Sequence, residues 1–207
     1  MQTLWSLVPL QNRVTPFGDL VAMPGRGLMM GNRGVLHDAG RRIVRPWQLR
    51  RWIACVTEFR GRYRKVMQPR RYTELFFLDE ATAFAAGHRP CAECRSADYQ
   101  RFRTLWKAVH GEPADADSMD RVLHAERIDG KQKRTHRAPV ATLPDGTYVA
   151  LDGAAHLLWR GELHAWSDGG YGGRRPRPRT GKIDVLTPPS IVALLKAGYP
   201  VVVHPSA

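Results

Sequence analysis

Cys91 and Cys94 stand two residues apart in the stretch FFLDEATAFAAGHRPCAECR, residues 76–95, and no other feature limits the folding of this chain so tightly. Two thiols at that spacing present both sulfurs to one tetrahedral ion from a single tight turn. The residues before them shape the approach. TELFFL, residues 73–78, predicts an apolar strand; Asp79 caps the helix EATAFAA; Gly87 ends it in the left-handed conformation; the Pro90 ring stiffens the backbone into Cys91. A helix beginning after Cys94 turns backbone N–H groups and its positive dipole end toward the thiols, which favours thiolate and metal capture. Three cysteines cannot all pair. Metal binding in a reducing compartment is therefore preferred over a disulfide framework, with thioredoxin-like redox use the lesser alternative.

The same run resembles the metal-binding domain of the adaptive-response DNA-repair protein Ada, and the small zinc modules of that type appended to bacterial nucleases. Their pattern is a strand, an EAxAAGxRPCxxC helix and turn, then a helix. The resemblance covers residues 76–95 only. It implies Zn2+ as a structural cofactor in a small mixed domain associated with DNA, with Cys91 and Cys94 as two of four ligands and an upstream segment supplying the others. Cys55, in RWIACVTEF, is the remaining cysteine and the expected third ligand, a buried small hydrophobe being its plainer reading. His37, in NRGVLHD, precedes Cys55 in the H…C…CxxC order of the nuclease-linked modules and is the expected fourth. His88 is its rival and His110 a more distant one; a solvated or core histidine is the plainer reading of each. The chain has neither Ada's upstream Cys-x3-Cys nor its Pro-Cys-His-Arg methyl-acceptor motif, so alkyl transfer to cysteine is not implied.

The formal net charge is +13, and of 32 basic residues only six are Lys. GC-rich coding raises Arg over Lys without any partner, but it does not remove acids. Between Arg41 and Arg71 eleven basic residues stand against one acid, Glu58, with Trp47, Trp52, Phe59 and Tyr63 interleaved. Guanidinium groups bind phosphates bidentately and stack on bases, so the pattern points to a nucleic acid, with DNA placed ahead of RNA by the resemblance. Arg51, Arg62, Arg64, Arg70 and Arg71 are the candidate phosphate contacts, and Trp47 is the ring expected to stack on a base. A solvated basic face is the alternative.

The organisation predicted is α+β, with a zinc-stabilised mixed module over residues 1–110 and a β-rich module over 121–207. GEPADADSMD, residues 111–120, reads as a solvated linker between them. SADYQRFRTLWKAVHG has helical spacing, and the stretch from Arg137 to Ser167 alternates short strands with Pro-Asp-Gly, Asp-Gly and Arg-Gly turns, a meander. GGYGGRRPRPRTGK, residues 169–182, reads as a mobile basic loop. The C-terminus reads as strand, helix, strand, with Thr187 as the helix cap and Gly198 as its stop. No run of eighteen apolar residues and no signal-peptide pattern is present, so a cytoplasmic protein is expected.

The first functional expectation is therefore a zinc protein that binds nucleic acid through an Arg-rich surface. The alternative is a metal-dependent or histidine-based hydrolase or nuclease. It rests on LHAERIDGKQKRTH, residues 123–136, where His124 and Glu126 are candidates for base and water positioner, and His136 with Lys133 and Arg134 could face a phosphate. Neither His-Glu-x-x-His spacing nor a nuclease signature accompanies them, and surface histidines are the plainer reading. A third class, a protein-interaction module, follows if the basic residues scatter over all faces. Convergence of His124, Glu126 and His136 in a cleft discriminates among these.

Overall fold

The computed structural model describes residues 9–63 and 65–207, and among them it shows four helices and two six-stranded sheets, a mixed α+β architecture with a β-rich second half. The first sheet comprises β1 (Gln11–Val14), β2 (Leu20–Ala22), β3 (Met29–Asn32), β4 (Ile53–Val56), β5 (Leu75–Phe77) and β6 (Arg89–Pro90), in the order β2-β1-β5-β3-β4-β6. The apolar run read as a strand becomes β5, which lies between β1 and β3 with Leu75 and Phe77 fully buried.

Helix α1 (Glu80–Ala85) follows directly. Asp79 accepts the Thr82 N–H at 2.8 Å, and Gly87 stops the helix at φ +89°, as its residues predict. Every residue of α1 is buried. Its small side chains explain how: Ala83 and Ala86 face the first sheet, Ala81 and Ala85 face the second, and Phe84 enters the helical cluster. A helix that is apolar on all sides belongs in an interior, and alanine lets three layers approach it. The helical cluster joins Phe102 and Trp106 of α2 (Ser96–His110), Met119 and Leu123 of α3 (Ala116–Arg127), and Ile191 and Leu194 of α4 (Pro189–Lys196).

After α3 a two-stranded ribbon, β7 (Ile128–Asp129) and β8 (Gln132–Lys133), leads into the second sheet. That sheet is antiparallel, built from β9 (His136–Pro139), β10 (Tyr148–Leu151), β11 (Ala154–Trp159), β12 (Glu162–Ser167), β13 (Gly170–Pro176) and β14 (Lys182–Val185), in the order β13-β12-β11-β10-β14-β9. Asp152-Gly153 and Arg160-Gly161 both have positive φ at each residue, the two-residue turn that matches the twist of a hairpin. No helix among the described residues is long and apolar enough to cross a membrane.

Four local expectations are corrected. Residues 111–120 are not a solvated linker: Asp115 caps α3 by accepting the Ser118 N–H at 3.0 Å, and Ala114, Met119 and Asp120 are buried. The core runs across that stretch, since α1 packs with Tyr148, Leu157 and Tyr171 of the second sheet. The first half of the basic segment 169–182 is the edge strand β13, paired with β12. Thr187 does not cap α4; its hydroxyl accepts the Tyr148 N–H at 2.9 Å, while Glu126 from α3 takes the Ser190 N–H at 3.0 Å. The last apolar run, Val201–Val203, is not a strand. Its backbone bonds to side chains instead: Val202 N–H to Glu80 at 2.9 Å and His204 N–H to Asp79 at 2.9 Å.

Those two carboxylates tie the layers together. Asp79 also accepts the Tyr171 hydroxyl at 2.6 Å. Glu80 receives the Tyr199 hydroxyl at 3.0 Å and Arg95 at 2.6 Å, and both members of that ion pair are almost fully buried. Desolvation pushes Glu80 above the usual carboxylate range despite Arg95; desolvation also pulls on Arg95, but the Glu80 charge outweighs it and raises Arg95. Removing one partner of such a pair strands the other. Arg95→Met should lower stability by about 3–5 kcal/mol, seen as a lower urea midpoint. Lys107→Met, which breaks an exposed pair with Glu112, should leave that midpoint in place. A loss below about 1 kcal/mol in Arg95→Met would refute the clamp.

Candidate metal centre

The third cysteine reaches the Cys-x-x-Cys turn through strand register. β4 pairs in parallel with β6, Ile53 beside Arg89 and Ala54 beside Pro90, which continues to Cys55 beside Cys91. The Cys91 N–H bonds the Ala54 carbonyl at 2.9 Å, and the Arg95 N–H returns to the Cys91 carbonyl at 3.1 Å, closing the turn as α2 begins. All three Sγ atoms lie within 4.8 Å of one another. Thiolates on a tetrahedral zinc, with bonds of about 2.3 Å, stand about 3.8 Å apart. Three converging thiols on a strand edge and a tight turn therefore suit a thiophilic ion such as Zn2+ with little movement.

The electrostatics favour a cation there. The Cys55 thiol and the backbone N–H groups of Cys94 and Glu93 donate to the Cys91 sulfur, lowering its pKa to about 5 despite partial burial. Donation to Cys91 and burial push the Cys55 thiol up, and burial does the same to Cys94. One thiolate thus gathers donors from its neighbours, and a metal replaces protons at the same place. Two buried ion pairs hold the turn: Arg95 to Glu80 after it, and Arg89 to Asp120 before it, the latter bidentate at 3.0 and 2.8 Å.

Among the described residues no fourth Cys, His, Asp or Glu joins the three thiols. His37, expected as the fourth ligand, is a correction. It is buried, its Nε2–H donates to the Gln68 carbonyl at 3.1 Å, and its Nδ1 accepts from the Thr73 hydroxyl at 2.6 Å. Thr73 takes the Leu36 N–H at 2.8 Å in return, so both ring nitrogens are used and the ring pins the loop that ends at Thr73. His88 is not promoted. It packs on Phe77 and Trp52, 4.6 and 5.2 Å between ring centres, and accepts from Arg33 at 3.3 Å. His110 ends α2, about 21 Å along the helix from its start, and packs on Trp106.

The three cysteines line a groove of about 550 Å³ together with Arg51, Phe59, Arg62 and Tyr63. Three candidate ligands are one short of the closed four-ligand set of structural zinc. Arg70 is exposed, and Arg71 lines an adjoining hollow with Lys65. Every described basic residue between Arg41 and Arg71 is exposed, and only Arg42 and Arg62 among them form ion pairs, with Asp38 and Glu93. Arg64 lies outside the described residues. Trp47 is half-buried edge-on against His124, 4.6 Å between ring centres, which corrects its role as a free stacking ring. Tyr63, one of the interleaved aromatics but not the one expected to stack, lines the groove and is 93 % exposed. Its position amid arginines was the available signal.

His124, Glu126 and His136 do not converge. His124 packs on Trp47 and meets Arg127 at 3.3 Å, Glu126 caps α4 through Ser190, and His136 lies on β9 in register with Val185. Their environments explain this: two residues apart on α3, His124 and Glu126 point to different neighbours.

Comparison with protein families, curated proteins and solved structures finds no match to this chain.

The thiol cluster makes a direct prediction. Cobalt(II) added to the full chain should give the visible bands of a tetrahedral thiolate site, at close to one ion per chain. Cys55→Ser, Cys91→Ser and Cys94→Ser should each abolish those bands, while His37→Gln should keep them. Loss of the bands in His37→Gln with the fold intact would return His37 to the ligand set.

Proposed function

We propose that this chain is a zinc protein that binds nucleic acid along the groove beside Cys55, Cys91 and Cys94. One observation carries the reading: a metal-suited thiol cluster lies on the wall of a groove that holds Arg51 and the Glu93-paired Arg62 and is flanked by exposed Arg70 and Arg71, which form no ion pair among the described residues. Free guanidinium groups on one loop are what a phosphate backbone requires, since each contact releases a counterion. Three acids line the groove itself, Glu58, Glu74 and Glu93, against Arg51 and Arg62, so the excess of cations lies on the flanking loop, at Arg60, Arg70 and Arg71. Glu93 is paired with Arg62, and Glu74 is buried and accepts the Met67 N–H at 2.8 Å. Arg60 and Arg62 stand over the Phe59 ring at 5.0 and 5.2 Å, and Tyr63 beside them offers a face for base stacking.

Zn2+, if bound, would be held by Cys55, Cys91 and Cys94 and would supply a fixed positive charge at the groove wall. Around it this chain's own residues bind and orient the strand: Arg51 and Arg62 at the groove, Arg70 and Arg71 on the flanking loop, Tyr63 stacking. The Ada-type resemblance of residues 76–95 supports DNA ahead of RNA, and a cytoplasmic setting, which keeps thiols reduced, suits the centre.

The test is binding of fluorescent single- and double-stranded DNA and of RNA at graded salt. Affinity should fall about tenfold or more between about 50 and 200 mM salt. Exchanging Arg51, Arg62, Arg70 and Arg71 together for Gln should weaken binding about as strongly, with an unchanged unfolding midpoint, and Tyr63→Ala should weaken single-stranded ligands most. Undiminished binding in the quadruple variant, or a flat salt response, would remove nucleic acid as the partner.

A further inference from the structure

A second cationic site lies inside the fold, away from the thiols. Arg33 and Arg127 are almost completely buried, 1 % and 0 % exposed, and each guanidinium stands 4.0 Å from the ring centre of Trp52, itself buried. Together with Lys133 they line a cavity of about 350 Å³, to which Arg45 and Lys131 add two more cations and Asp19 the one acid. None of these five cations forms an ion pair among the described residues.

Some of the charge has a structural use. Arg127 donates to the Gly87 carbonyl at 2.6 Å and to that of Arg50, and Lys133 donates to the Ala85 carbonyl, so both satisfy acceptors just past or at the end of α1. Carbonyl oxygens satisfy donors but carry no full charge. The remainder is visible in two buried nitrogens with no partner, Arg33 Nη2 and Arg127 Nε, on side chains that form the cavity wall. Buried unpaired donors and unneutralised cations are costly, and a fold that assembles three of them around one cavity leaves a place for an anion. Burial, with mutual repulsion added at the lysine, pulls Lys133 down to about 7; burial alone pulls Arg33 down to about 9.

The lining also includes the apolar side chains of Leu20, Ile43, Pro46 and Ile128. We infer that this cavity binds a phosphomonoester, its oxyanion on Arg33, Arg127 and Lys133 and a compact body against those apolar side chains. A dianion meets the excess of cations over Asp19, and guanidinium forks suit phosphate oxygens. The volume falls at the small end of the range for ligand pockets, about 300–1,000 Å³.

The experiment uses the full chain at constant ionic strength, with chloride as the reference anion. Thermal unfolding and titration calorimetry are measured with inorganic phosphate, with adenosine 5′-monophosphate and with adenosine. Phosphate and the monophosphate should raise the midpoint saturably, as ligands of the folded state do, and adenosine should not. Lys133→Met removes a desolvated charge without changing shape, so it should fold in chloride and bind phosphate about tenfold or more weakly. Lys131→Gln, at an exposed rim position, should weaken binding a few-fold and leaves folding out of the question. The Arg51, Arg62, Arg70, Arg71 variant should keep the full phosphate response, which separates this cavity from the groove. A phosphate response equal to that of chloride, or one that both lysine variants retain in full, overturns the proposal.

Discussion

Glu80 is a carboxylate in the first turn of an otherwise apolar helix, and the positions of most other elements follow from what it binds. Its oxygens take the Arg95 guanidinium, the Tyr199 hydroxyl and the Val202 N–H, while the neighbouring Asp79 takes Tyr171 and His204. A chain that must bury α1 on every side cannot leave those oxygens unsatisfied, so the C-terminal segment and the start of α2 are drawn to them. The clamp also sets the orientation of the metal turn. Arg95 follows Cys94 directly, so the residue that neutralises Glu80 is the one that launches α2, and the thiols are placed by the same bond.

The groove inherits its shape from this frame. The loop between β4 and β5 carries the arginines but almost no regular structure; it is fixed by a few contacts at its base. Met67 is buried, its N–H held by Glu74, and His37 joins Gln68 to Thr73. A histidine in that place, bonded through both nitrogens, does for the loop what the resemblance assigned to the metal. Order at the base and exposure at the tip are the arrangement that lets a loop present charge without collapsing onto the protein.

Much of this was legible in residues 73–110, because local rules decide them. Asp79, Gly87 and Gly111 act as their chemistry demands, and α2 runs from Ser96 to His110 as its apolar spacing requires. Cys91 and Cys94 were legible for the same reason, and Cys55 because only one cysteine remained. The misreadings are all non-local. Nothing in NRGVLHD states that Thr73 will face His37, nor does LTPP reveal that Glu126 will reach Ser190 and free Thr187 for Tyr148. Residues 111–120 read as solvated because they hold small residues, a proline, four acids and almost no apolar side chain, yet Asp120 is buried, its charge met by Arg89, 31 residues earlier.

The same limit explains why composition misleads about the basic residues. An excess of arginine describes one property of the sequence, but the fold sorts it into two populations. Those between Arg41 and Arg71 that are described stand in water, where the charge costs little to keep and long-range attraction to a polyanion is screened by salt. Arg33 and Arg127 stand in the interior, where the same charge is expensive and its field is strong. A diffuse polymer suits the first population and a small, well-fitted anion the second. Buried arginines without ion-pair partners are thus the more specific feature: carbonyl oxygens, His88 and the Trp52 ring take up part of their donors and charge, and Arg33 Nη2 and Arg127 Nε are still left without a partner.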